Sequence, residues 1–230
     1  MITVPFHQFE IRYTKILNFQ ALIKEVIAPF VPMAVDVLLE NENRVQHCRY
    51  TLLFAEYSII VTWDRLLIKY EGDLKALIES NSIIEEPFFN LFNKIKGLGS
   101  FGNVVNCLSA THIINHTEIN HTEIKKDFIG KYLNKPNIER IVSNPTDIAI
   151  VLEKNTDERQ IIVQFGPYIG IVDLHKRNIF PNPDKFKNLN IVGEMTEIKI
   201  FETLKSISFA KYKELLKMTI EYQESLWKQL

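Results

Sequence analysis

The residues from Arg49 to Gly72 read Arg-Tyr-Thr-Leu-Leu-Phe-Ala-Glu-Tyr-Ser-Ile-Ile-Val-Thr-Trp-Asp-Arg-Leu-Leu-Ile-Lys-Tyr-Glu-Gly, the stretch that restricts the fold most sharply. Leu52 and Phe54 alternate with Thr51, Leu53 and Ala55. Ile59, Val61 and Trp63 alternate with Ile60 and Thr62, and Leu66, Ile68 and Tyr70 with Leu67, Lys69 and Glu71. Alternation at period two in residues that suit a pleated surface marks a strand with one face in a core. The interruptions at Glu56-Tyr57-Ser58 and Asp64-Arg65 are hairpin-sized. The stretch therefore predicts a three-stranded antiparallel meander. It names no chemistry.

The 230 residues are 46% hydrophobic and 24% charged, the balance of a globular protein with a sizeable core. A net charge of −1 argues against a dominant nucleic-acid or anionic-membrane surface. Cys48 and Cys107 form neither a disulfide framework nor a CxxC pair, which suits a reducing, cytoplasmic setting. The start lacks a charged segment followed by an apolar run, and no stretch approaches the ~20 apolar residues that span a bilayer. No cofactor is implied.

The rest of the chain is arranged around the meander. Ile2–Tyr13 alternates like a strand. Ile16, Phe19, Leu22 and Val26 share a helical face that Thr14 could cap and Pro29 and Pro32 stop. Met33–Leu39 reads as a strand. Pro87–Lys96 reads as a helix with Pro87 in its first position and Gly97 and Gly99 at its end. Val104–Ile114 is apolar without a clear period, so helix and strand remain open. Asn120-His-Thr-Glu123 has capping-box character and predicts a helix from His121 to Leu133. Lys135-Pro-Asn and Ser143-Asn-Pro145 read as breaks. Strands follow at Asp147–Leu152, Gln160–Phe165, Ile169–Leu174 and Ile191–Phe201, the third and fourth separated by a proline-containing loop. A boundary at 116/117 would divide the chain into two comparable α+β lobes, 1–116 and 117–230, with one continuous domain as the alternative. On the two-lobe reading Trp63 and Phe165 are matching core residues.

The C-terminal stretch, about Ser208 to Gln229, is the longest predicted helix, about 33 Å. Phe209, Tyr212, Leu216, Thr219, Gln223 and Leu226 recur at spacings of three and four, and Leu215, Met218, Tyr222 and Trp227 widen the stripe. A stripe this broad suits a helix lying on a sheet or one shared with a partner.

Gly97-Leu-Gly99-Ser-Phe101-Gly102-Asn-Val104 fits G-x-G-x-x-G. It resembles the glycine-rich phosphate loop of protein kinases, with an aromatic residue before the third glycine and a valine two residues after it. The resemblance covers eight residues and implies a nucleotide site at Gly97, Gly99 and Gly102, where backbone can approach phosphates. A dinucleotide loop, however, follows a strand, whereas Phe88–Ile95 reads as a helix. The companion motifs V-A-I-K, H-R-D and D-F-G are missing, so the competing reading is a helix stop. His112 and His116, with Glu123, would share one face if 112–123 were a single helix and could then hold a divalent metal. The Asn/Thr content favours a polar loop instead. Asp173 and His175 would lie on one face of a strand, within reach of a metal or substrate, or form a surface pair. Cys48 and His47 are strand neighbours that point apart, and no G-x-S-x-G elbow is present.

The sequence thus predicts an α+β fold: antiparallel β-meanders, helices packed on one face, and a long C-terminal helix. With no catalytic constellation in view, the expected function is a non-catalytic interaction subunit, adaptor or regulator of a bacterial-type cytoplasmic assembly. It would bind a protein partner or a second copy through Phe209, Tyr212, Leu216, Leu226 and Trp227. The alternative is a small-molecule or nucleotide-binding enzyme with its site near Gly97–Gly102 or at Asp173/His175. Nucleic-acid binding through Lys125–Lys135 and Lys176–Lys187 ranks third.

Overall fold

A computed structural model describes residues 2–40, 43–79, 81–98, 104–115, 119–170, 192–205 and 207–228. The meander forms as expected: β3 (Arg49–Leu53), β4 (Tyr57–Thr62) and β5 (Arg65–Tyr70) pair antiparallel. The remaining strands are β1 (Ile2–Arg12), β2 (Asp36–Glu40), β6 (Val104–Asn115), β7 (Ile150–Asn155), β8 (Arg159–Ile169) and β9 (Val192–Leu204). All nine belong to one antiparallel sheet in the order β2-β3-β4-β5-β1-β6-β9-β8-β7. The stretch at 104–115, ambiguous in sequence, is a strand near the middle of this sheet. Its pairing with β9 carries the ladder from strands of the first half of the chain to strands of the second.

Register explains which residues are in the core. Phe9 and Ile11 of β1 stand opposite Ile68 and Leu66 of β5, which face Ile59 and Val61 of β4, which face Leu52 and Tyr50 of β3. On the other side of β6, Ile198 and Ile200 of β9 face Val163 and Ile161 of β8. All of these side chains are buried on the same face. Because side chains alternate at period two, this one face collects the apolar set from six strands, β1, β3, β4, β5, β8 and β9.

The described α-helices are α1 (Phe19–Ile27), α2 (Asn90–Lys96), α3 (His121–Tyr132), α4 (Lys135–Ile141) and α5 (Phe209–Trp227). Of these, α1, α2, α3 and α5 pack on that face. Phe19, Ile23 and Ile27 of α1, Leu91, Phe92 and Ile95 of α2, and Tyr212, Leu215 and Leu216 of α5 join the sheet residues in one core. Phe128 and Tyr132 of α3 pack on Phe165 of β8. Helix α3 carries the expected reciprocal capping box between Asn120 and Glu123.

Several boundaries differ from the sequence reading. Thr14 does not cap α1. The Tyr13 and Ile16 amides donate to the Asp64 and Trp63 carbonyls of the β4–β5 turn, which ties this segment to that turn and leaves Asn18 at the N-cap position. Pro87 is not a first helical residue; it lies inside a wide turn, Ile84–Phe89, that leads directly into α2. There the Phe88 amide reaches back to the Ile83 carbonyl at 3.2 Å, an i→i+5 bond that accommodates a residue with no N–H to donate. Lys135-Pro-Asn opens α4 where a break was expected, with Asn134 as cap and proline in the first turn, where its missing donor is harmless. Strand β8 ends at Ile169; Gly170, where the expected strand 169–174 would continue, is outside the strand with φ +81°, and 171–174 lie outside the described residues. Trp63 and Phe165 are not equivalent: Phe165 is mid-strand and buried, whereas Trp63 sits in the β4–β5 turn, half-buried.

Gly166 marks a close approach. A Cβ there would stand 2.7 Å from the Ile148 carbonyl oxygen and 3.0 Å from the Ala149 Cα, both backbone atoms leading into β7. Gly166→Ala is expected to push this segment off β8 and destabilise the protein by about 1–3 kcal/mol. At Gly130 of α3 nothing lies within 4 Å of such an atom, and Gly130→Ala should stabilise by about 0.5–1 kcal/mol. Urea unfolding midpoints of the pair check both signs.

Candidate functional site

The face of the sheet opposite the helices carries a groove of about 300 Å³ over β1, β5, β4 and β3. Its residues are those that alternate with the core set. Gln8 and Glu10 come from β1, Arg65, Leu67 and Lys69 from β5, Ile60 and Thr62 from β4, and Arg49 from β3. The register sets Ile60 beside Leu67, Gln8 beside Lys69 and Glu10 beside Leu67. Ile60 and Leu67 form an apolar floor, and Gln46, Trp63 and Asp64 complete the lining.

Side chains of both charges line this groove. At one end Glu10, only 5% exposed, accepts from Arg12 Nε at 2.5 Å and lies 3.5 Å from Arg65. Asp64 accepts from Thr62 Oγ1 at 2.9 Å and pairs with Arg65 Nε at 3.2 Å. Both acids are thus held by cations or a hydroxyl. Arg49 and Lys69 also line the groove; Arg49 stands opposite Thr62, at the level of Arg65, and Lys69 opposite Gln8 and Ser58, four residues farther along β5. Arg49 Nη2 pairs with Glu40 of β2 at 2.5 Å, while its buried Nε finds no hydrogen-bond partner among the described residues. Lys69 is 3% exposed; burial, and after it the positive charge of Arg49, pushes its pKa down to about 8. The Lys15 ammonium stands 5.0 Å from the Trp63 ring centre. The groove combines an apolar floor with charged and hydrogen-bonding side chains.

The residues singled out from sequence are dispersed. Gly97 follows α2 in a right-handed conformation, as a helix stop, and Gly99 and Gly102 lie outside the described residues. Asp173 and His175 also lie outside them. His112 is on β6 and α3 starts at His121, so the single helix that would align His112 with Glu123 does not form; His116 lies outside the described residues. Among the described residues no group of three His, Cys, Asp or Glu side chains is placed to hold a metal. Among the same residues no helix is long and apolar enough to cross a membrane.

The helical stripe of α5 is real, but it packs on the chain's own sheet. Tyr212 and Leu216 are fully buried, and Phe209 and Leu226 are half-buried against the same core. Tyr212 lies 4.7 Å from Phe9, centre to centre, and its hydroxyl shares a 2.9 Å hydrogen bond with His7 Nε2 of β1. Burial holds His7 neutral, its pKa pushed down to about 3. Trp227 ends the helix. Two of the five residues expected at an interface therefore belong to the core.

Apolar surface is found elsewhere. Val35, which is 79% exposed, leads into edge strand β2, where Leu38 and Leu39 are about half exposed; Met33 precedes them. At the opposite edge, Val151 and Leu152 of β7 are similarly exposed. Sequence reasoning missed the groove and these edges. The signal was present as charged residues at the alternate strand positions, Glu10, Arg49, Arg65 and Lys69. No protein-family model matches the sequence, and no curated protein matches it.

Proposed function

We propose that this chain is a non-catalytic interaction protein, a subunit or adaptor of a cytoplasmic assembly, and that its partner adds a strand to the β2 edge of the sheet. The observation that carries the reading is apolar exposure on both faces of that edge. Leu38 stands opposite Thr51 and Leu39 opposite Tyr50, so the two half-exposed leucines point to opposite faces. An edge strand offers unpaired backbone groups, and apolar side chains above and below it suit an added strand. The two edges are not alike. β7 ends in Glu153-Lys154-Asn155, charged and polar residues of the kind that blunt an edge, whereas the charges of β2 stand only at its ends, Asp36 and Glu40. Burial of Tyr212 and Leu216 in the core moves the proposed interface from the helix to this edge.

The test is a Leu38→Lys, Leu39→Lys double variant. Both sites are about half exposed, so the fold should lose no more than about 1 kcal/mol. Purified from its own cell and measured by size exclusion with light scattering, the natural chain is expected to run above its 26.8 kDa monomer mass and the variant at that mass. A natural chain that is monomeric with nothing bound, or a variant that assembles equally well, would contradict the proposal.

A further inference from the structure

The β2 edge carries a charge pattern that selects among the strands that could be added to it. Asp36, Leu38 and Glu40 stand opposite Leu53, Thr51 and Arg49 and share the open face of the sheet. Val37 and Leu39, opposite Leu52 and Tyr50, share the helix-covered face. The open face of the edge thus reads acid, leucine, acid. Glu40 pairs through one oxygen with Arg49 at 2.5 Å and stays half-exposed. Asp36 is exposed and meets only the Val37 amide, at 2.7 Å, among the described residues. A second copy fits this pattern poorly. Two copies that continue the sheet antiparallel across a two-fold axis set residues of the same face opposite one another. The register that pairs all 5 residues of β2 puts Leu38 opposite Leu38, and Asp36 of each copy opposite Glu40 of the other. Like charges directly opposite one another destabilise a pair of strands. A slip of two residues in either direction relieves that contact but sets Leu38 opposite Asp36 or opposite Glu40, an apolar side chain against a charge.

We propose that the strand added to β2 comes from a different protein and is basic at both ends, with a lysine or arginine opposite Asp36, another opposite Glu40, and three apolar residues between them. Given the β2 edge as the binding element, on which this rests, the central apolar residue covers Leu38 on the open face. The residues beside it cover Val37 and Leu39 on the other. Opposite charges facing across neighbouring strands fix the register, which backbone hydrogen bonds alone leave free to slip. The same two acids keep the free chain from pairing with itself through an otherwise apolar edge.

Fluorescence anisotropy of the full chain, purified alone, with a labelled Ser-Gly-Lys-Val-Leu-Val-Lys-Gly-Ser peptide tests this against the same peptide with glutamates in place of the lysines. The lysine peptide is expected to bind saturably and about tenfold or more tighter than the glutamate peptide at low salt. Added sodium chloride should narrow the difference by screening the pairs. Asp36→Lys should weaken the lysine peptide and strengthen the glutamate peptide. The side chain is exposed, so this variant should fold, and circular dichroism reports whether it does. Sedimentation of the chain alone should give a monomer. Equal binding of the two peptides, or tighter binding of the glutamate peptide, overturns the basic partner and leaves the edge standing. A dimer of the chain alone that Leu38→Lys, Leu39→Lys abolishes overturns it in favour of a second copy at the same edge. If neither peptide binds, the basic partner is again overturned, and protection of β2 in the native complex then decides whether the edge falls with it.

Discussion

Replacing Tyr212 by alanine is expected to destabilise the protein by about 3–5 kcal/mol, a large part of the stability of a typical domain. The side chain is fully buried where α5 crosses the sheet, and its ring meets Phe9, Phe89 and Phe209. Truncation leaves a cavity among groups that belong to three different elements, so collapse can fill it only in part. It also strips His7 of its partner. His7 Nδ1 already has none among the described residues, and losing the Tyr212 hydroxyl leaves both ring nitrogens unsatisfied in the interior. Tyr212→Phe separates these contributions: it keeps the ring and removes the hydrogen bond, and should cost about 1–3 kcal/mol. Denaturant midpoints at unchanged slope would report both. A partner-binding Tyr212 would behave differently, with alanine altering assembly and leaving the midpoint nearly alone.

The second large effect is expected at Glu202. Its carboxylate is 2% exposed and accepts from Arg159 of β8 at 2.6 Å, with Lys211 of α5 at 3.7 Å. Arg159 also reaches Glu214 at 3.4 Å and the Met218 sulfur at 3.5 Å, both on α5. The cluster joins the last helix to two strands. Glu202→Ala would leave two cations facing a site emptied of its charge, and breaking such a pair from one side is much costlier than never having built it. Arg159 remains one-fifth exposed and keeps Glu214, so about 2–3 kcal/mol is expected, below the fully buried case. Glu202→Gln should lose less, and replacing Glu202 and Arg159 together by leucine should recover much of the loss. The double-mutant cycle between positions 202 and 159 measures the coupling.

These two sites show where sequence reasoning reached and where it stopped. The meander was legible because Tyr50, Leu52, Ile59, Val61, Leu66 and Ile68 alternate with residues of another character, and period two has one structural meaning. The α5 stripe was legible for the same kind of reason at period three and four. Its destination was not, because Tyr212 and Leu216 look alike whether the surface they cover is their own sheet or a partner's. Strand β6 lacked a period: Val-Val-Asn-Cys-Leu-Ser-Ala-Thr-His-Ile-Ile-Asn shows no consistent alternation, as a strand in the middle of a large sheet need not. Lys135-Pro-Asn misled because proline was read as a break when it also suits a first helical turn. The groove was the least legible. Glu10, Arg49, Arg65 and Lys69 come from three strands, and only the register brings them together.

Hydrogen exchange distinguishes the edge from the helix as the binding element. The amides of β2, residues 36–40, and those of α5, residues 209–227, can be followed in the isolated chain and in the complex recovered from its own cell. Strand addition predicts that β2 exchanges quickly in the isolated chain and becomes protected in the complex, while α5, docked on its own sheet, is slow in both. Protection gained in α5 with β2 unchanged would contradict the proposal and return the interface to the helix.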